Sequence, residues 1–372
     1  MKTFQKITLT ILTVLAMVTQ LSATSWEVEV DTPDTSTISS SISVNTLRKT
    51  GGGQLNITGT GYSVDYIQVE DGHVYVHDAP GLYLRQPVTL GLGRYITHYT
   101  QIIVEVATGD SSFIRAPIIA AEVTKQGGGT LEFDCVGSVI NYLKIKGGRV
   151  IVDASDIIPA IGLYFDGANC ILEATTDINL PEVTLSFDGE IKSTKAVTMD
   201  SLILGGKVLT TDILGDTIVN NLDASVSGGT ISNADILTLN GATGSNKLTK
   251  NGSGLIQVIK DLSGALLPID VIFGILQVRN LGKLPTAAMK IGATGTVGAI
   301  FELLSNTAAG AVPGPMEVMQ YGVLSVGDNV SVPTDTDVND VFAGGLVFDS
   351  GSVLKLGNGS SWARNMTIGA AL

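Results

Sequence analysis

The side chains in this chain that could do chemistry are few and far apart. His73 and His77 stand four residues apart, with Asp71 and Asp78 beside them. On a helix that spacing would let two imidazoles share one metal ion; on a strand it separates them by about 13 Å. Val74 and Val76 alternate with them, which is the period of a strand, so the histidines read as wet-face side chains. Gly109-Asp110-Ser111-Ser112 offers a serine after an aspartate. It lacks the second glycine of a tight nucleophile loop and reads as a surface turn. Asp335, Asp337, Asn339 and Asp340 begin like a calcium loop, but Asp340 stands where glycine is needed and Leu346 where the bidentate glutamate belongs. Asp153 and Asp156 have no Arg or Lys at a useful spacing. Cys135 shares phase with Leu131 and Phe133, and Cys170 with Leu172, so both cysteines read as small core hydrophobes. Whether they are bridged stays open, since a bridge needs Cα atoms closer than about 7 Å. The expectation is no catalytic residue, no cofactor and no metal site.

Composition narrows the function classes further. Of 372 residues only 15% are charged, against roughly 25% in an ordinary soluble protein. Lys plus Arg number 22 and Asp plus Glu 35, a net charge of -13. That balance argues against nucleic acid as a partner, because phosphate neutralisation needs clustered basic residues. Three histidines and two cysteines exclude a zinc-finger array and a disulfide-stapled miniature domain.

The elements that must carry these residues come in an order the sequence displays. Residues 1–23 read as a secretory leader: Lys2 and Lys6 precede a stretch without charge from Ile7 to Leu21, and Ser22-Ala23 supplies small residues at the exit. Residues 24–46, rich in Ser, Thr and Asp, read as a polar entry segment that caps one end of the repeat region. From 47 to 372 the chain is a succession of short apolar runs parted by glycine, with no 3.6-residue stripe sustained over three turns.

An internal repeat organises that region. Residues 47–77, 123–153 and 248–278 align, each opening on an apolar residue followed two positions later by lysine: Lys49, Lys125 and Lys250. Leu55 and Ile57 match Leu131 and Phe133, then Ile256 and Val258. Val74 and Val76 match Val150 and Val152, then Leu276 and Val278. Apolar pairs at i and i+2 bury one face of a strand and wet the other. Val150 and Val152 are therefore expected inside, Arg149 and Ile151 outside. Bend glycines recur at a finer spacing, Gly128, Gly148, Gly167 and Gly189 among them. Their period of about 20 residues suits one coil of a solenoid.

The string GGGTLEFDCVGSVINYLKIKGGRVIV, residues 127–152, resembles the passenger-associated strand repeat of bacterial autotransporters; residues 51–76 and 252–278 carry it more loosely. The resemblance implies an all-β, right-handed parallel β-helix (solenoid) with about 20-residue coils. It also implies secretion or display at the cell surface or outer membrane of a Gram-negative-type bacterium. An outer-membrane export barrel, a partner of such passengers, is not read in this chain, which is expected to be either a truncated passenger or a solenoid secreted by itself. The expected role is a non-enzymatic adhesin or structural spacer that meets a host or neighbouring-cell surface ligand; a third reading is a coat protein that self-associates end to end through its open coils. The competing expectation is a carbohydrate-active β-helix enzyme, a polysaccharide lyase or hydrolase, which an outer face lined with carboxylates in a groove would favour.

Overall fold

β-branched residues at alternate positions, broken by glycine, leave the backbone one economical solution: short strands that pair with the same strand one coil away. The computed structural model has this form. It describes residues 25–368 except 41–42, 59–62, 70–72, 78–82, 85–87, 90–100, 115–117, 134–137, 154–158, 280–281, 294, 305–306, 308, 335–336, 338–339 and 365–366. The leader expected at 1–23 lies outside these residues.

The chain is an all-β parallel solenoid. One sheet alone stacks thirteen strands, from Ser111–Ile114 to Thr367–Ile368, about 60 Å at the usual inter-strand spacing. Its ladder sets the coil length. Ser111 pairs with Thr130, Thr130 with Arg149, Arg149 with Ile171 and Ile171 with Glu190. Each step is about 20 residues, the expected length of one solenoid coil. Later coils lengthen, Lys290 pairing with Glu317 and Glu317 with Val347. Some of the extra residues add a further parallel pair, Ser331–Val332 with Ser361–Trp362, packed against the same core. There Phe342 and Phe348 pack on Trp362, and the buried Asp340 carboxylate binds the Arg364 guanidinium and the Phe342 amide. Every strand-to-strand pairing among the described residues is parallel, as stacking of successive coils requires.

The polar segment 24–46 supplies Ser25–Glu29 and Thr35–Ile38, which pair in parallel with Ser43–Thr50 and Gln54–Thr58. On a second face one column runs through Ile38, Ile57, Val76, Val104, Lys125, Ile145, Phe165 and Leu185 in register. The longer strands on this face turn a corner. In Val139–Ile145 and Ile178–Leu185 two consecutive half-exposed residues, Asn141-Tyr142 and Pro181-Glu182, interrupt the alternation. The phase of the inward set then resumes on the next side of the coil.

The expected inward positions are where the repeat puts them: Leu55, Ile57, Leu131, Phe133, Val150, Val152, Ile256, Val258, Leu276 and Val278 are all buried, and Arg149 and Ile151 point outward. The side chains of Val74 and Val76 lie outside the described set.

The repeat lysines hold the bends together from within. Lys49, Lys125 and Lys250 are each 0% exposed, in register positions that neighbouring coils fill with valine or isoleucine. Lys125 Nζ donates to the carbonyls of Gln126, Gly127 and Gly147 at 2.9, 2.6 and 2.9 Å. Lys250 Nζ does the same to Asn251, Gly252 and Phe273 at 3.4, 2.6 and 3.1 Å. Lys49 Nζ reaches the Thr50 and Gly51 carbonyls. Three acceptors match the three N–H bonds of an ammonium, and one of each triplet at 125 and 250 belongs to the next coil. Burial pulls Lys125 and Lys250 down from 10.5 to about 8, so both still carry charge at neutral pH. The bend itself requires glycine: Gly127 has φ +74°, and a Cβ there would lie 2.3 Å from the Val106 carbonyl oxygen.

Candidate functional site

A concave patch forms on the outer face where four strands run side by side: Ile118–Gln126, Val139–Ile145, Pro159–Phe165 and Ile178–Leu185. Alternation sends Val123, Leu143, Leu163 and Val183 to the core. It sends Glu122, Tyr142, Lys144, Tyr164 and Glu182 outward. In the ladder Glu122 lies beside Tyr142 and Tyr142 beside Gly162; one step on, Lys144 lies beside Tyr164 and Tyr164 beside Thr184.

Gly162 leaves room for the Tyr164 ring beside Tyr142. It puts no side chain next to Tyr142, and the Tyr164 ring leans over it, so that a Cβ there would meet the ring at 3.1 Å. A register shift between Ile140 and Tyr142 brings Gly162, rather than its neighbour, to this position. The two tyrosine rings stand 5.9 Å apart at 51°. With Glu122, Lys144, Asp166 and Ser186 they line a cavity of about 480 Å³, within the roughly 300–1,000 Å³ range of small-ligand clefts.

The polar groups around the rings are held in place. Tyr164 Oη donates to Glu182 Oε1 at 3.2 Å, and Thr184 Oγ1 donates to the same oxygen at 3.2 Å. Thr124 Oγ1 donates to Glu122 at 2.7 Å, and Lys144 Nζ lies 3.4 Å from the other Glu122 oxygen. Asp166 has Lys146 at 4.0 Å. Burial, reinforced by the Glu182 carboxylate, pushes the Tyr164 hydroxyl up to about 12, so it remains a donor at any physiological pH. The site thus presents two aromatic faces, two carboxylates, an ammonium and a hydroxyl within one hollow.

The residues weighed on sequence grounds are elsewhere. His73 and His77 lie on one strand, His73–His77, with their side chains outside the described set. Gly109-Asp110 forms a turn closed by the Asp110 amide on the Ala107 carbonyl at 3.0 Å. Asp340 is engaged by Arg364 and the Phe342 amide; Asp335 and Asn339 lie outside the described residues, as do Asp156 and Cys135. Asp153 accepts from the Thr175 hydroxyl of the next coil. Cys170 is a buried free thiol 2.9 Å from the Ile145 and Gly167 carbonyl oxygens, pushed up by burial. Among the described residues no group of three or more His, Cys, Asp or Glu is placed to hold a metal ion.

Sequence reasoning missed the tyrosine hollow, although its signal is present. Tyr142 and Lys144 sit at outward positions of one strand, and the next coil sets Gly162 and Tyr164 beside them. Comparison of the chain with protein-family models, with curated proteins and with solved structures finds no match.

Proposed function

We propose that this chain is a secreted or surface-displayed, passenger-like β-solenoid acting as a non-enzymatic adhesin or spacer. The observation that carries this reading is the uninterrupted ladder of thirteen parallel strands: each coil extends the rod and offers its outer face at a new height. Some charges on the outer surface pair from one coil to the next, as in Arg48–Glu27, Arg149–Glu173, Lys247–Asp270 and Lys290–Glu317. Such pairs contribute little to stability, about 0–1 kcal/mol each, so they do not carry the rod. The apolar segment at Ile7–Leu21 supports the extracytoplasmic address. Expression of the full chain in a Gram-negative host tests the reading. The expected outcome is a product shortened by the leader and found outside the cytoplasm, in the periplasm, at the surface or in the medium. A full-length product retained in the cytoplasm would refute it.

A second reading, a carbohydrate-active enzyme, is favoured by one observation: Glu122 and Asp166 share the hollow, and Glu182 borders it. Acid–base hydrolysis needs two carboxylates across a scissile bond. Release of reducing ends from a polysaccharide, abolished by Glu122→Gln, would favour this reading over the first.

A further inference from the structure

We infer that the hollow at Tyr142 and Tyr164 is a binding site for an uncharged oligosaccharide. This deepens the adhesin reading and rests on it for the biological setting alone; the chemistry is local to the hollow.

The argument begins with what the hollow can desolvate. Two tyrosine rings 5.9 Å apart and tilted by 51° present electron-rich faces, and the C–H-bearing faces of a pyranose carry the complementary partial charge. A wholly apolar ligand would strip water from Glu122, Lys144 and Asp166 without replacing it, which is costly for charged groups. A sugar replaces that water. Each of its hydroxyls both donates and accepts, so it can donate to the carboxylates of Glu122 and Asp166 and accept from Lys144 and Ser186. The polar rim is already oriented by Thr124 on Glu122 and by Lys144 on Glu122, so little ordering remains to be done on binding.

Charge selects among sugars. The lining holds two carboxylates and one ammonium, and that ammonium is 3.4 Å from Glu122. The molecule around it carries -13. A uronate or sulfated chain would meet like charge with no surplus cation in the lining to receive it, whereas a neutral chain meets only acceptors and donors. The hollow continues along the coil stack from Glu122 to Ser186, so a chain of sugars laid across successive coils meets the two rings in turn.

Titration calorimetry of the purified full chain with cellotetraose and maltotetraose, with tetragalacturonate as the acidic probe, tests this. Saturable binding of a neutral tetrasaccharide is expected. It should weaken at least ~tenfold in Tyr142→Ala and in Tyr164→Ala, as for aromatic anchors generally, and stay within about threefold in Tyr142→Phe, which keeps the ring. The thermal unfolding of each variant shows whether the coil is intact. Should an alanine variant unfold, NMR of the wild-type chain with ring-labelled tyrosine replaces it, the Tyr142 and Tyr164 signals being the ones expected to shift. The inference is overturned if neither neutral tetrasaccharide binds, if binding survives both alanine variants, if other tyrosines shift instead, or if tetragalacturonate binds more tightly. A null here removes the ligand and leaves the rod's address standing. Retention of an unprocessed chain in the cytoplasm does the reverse.

Discussion

A buried lysine is the least expected component of a β-solenoid core, and the described residues here include three. The sequence marks Lys49, Lys125 and Lys250 as repeat positions because the same residue recurs, yet residue type alone argues for solvent. What the sequence conceals is the ring of bend carbonyls, which exists only once two coils are stacked. Lys355-Leu356-Gly357 has the same lysine–x–glycine spacing with an exposed lysine, so the tripeptide does not by itself define the staple. The staple makes stability depend on pH. Lys125 and Lys250 have folded values near 8 against 10.5 when free. The unfolded chain therefore binds more protons between those values, and stability rises as pH increases from about 8 toward 10. Above 10 the raised Tyr164 hydroxyl acts in the opposite sense. Lys125→Met at pH 7 should lower stability by ~1–3 kcal/mol, because it orphans three backbone carbonyls. Its deficit relative to wild type should widen from pH 8 to 10. Denaturant midpoints at three pH values check this, and a constant deficit would show that Lys125 does not titrate in the window.

Strand phase was the most legible property of the sequence, since alternation and glycine spacing act locally. Val150 and Val152 face the core as their parity demands, and Val150 is 0% exposed. Val150→Asp places an unpartnered charge in the apolar column and should cost several kcal/mol. The companion change at Arg149, taken from parity alone, is expected to be nearly neutral. The structure corrects that expectation, because Arg149 is ion-paired to Glu173 of the next coil. Arg149→Asp sets two carboxylates together and should cost about 1 kcal/mol, whereas Arg149→Ala should cost less. Urea melts of the three variants give the order, and an Arg149→Asp as damaging as Val150→Asp would mean the strand register is wrong. Cross-coil partners such as Glu173 are hard to read from sequence because coil length is not constant. The step from Thr130 to Arg149 is shorter than the step from Arg149 to Ile171, and an error of a single position exchanges inside for outside. The tyrosine hollow was obscured for the same reason: the shift between Ile140 and Tyr142 decides that glycine, and not Ile161, lies beside Tyr142.

At the scale of the whole molecule, contacts join each coil chiefly to the coils before and after it, so stability is close to a sum of coil and interface terms. The stack also carries an arithmetic that a globular core lacks. Val197 pairs with Thr217, Thr198 with Ile218 and Met199 with Val219: the backbone returns to the same point in the cross-section after one coil. Excising residues 197–216 joins Ala196 to Thr217, which already occupies the lateral position of Val197 and is itself buried. The shortened chain should fold with a single unfolding transition and be about 4.8 Å shorter, as small-angle scattering can record. An aggregated product would show that neighbouring coils are not interchangeable. The molecule is then a graduated ruler: whatever its tyrosine hollow holds is offered at a distance from either end that evolution can reset in steps of one coil, without redesigning the site.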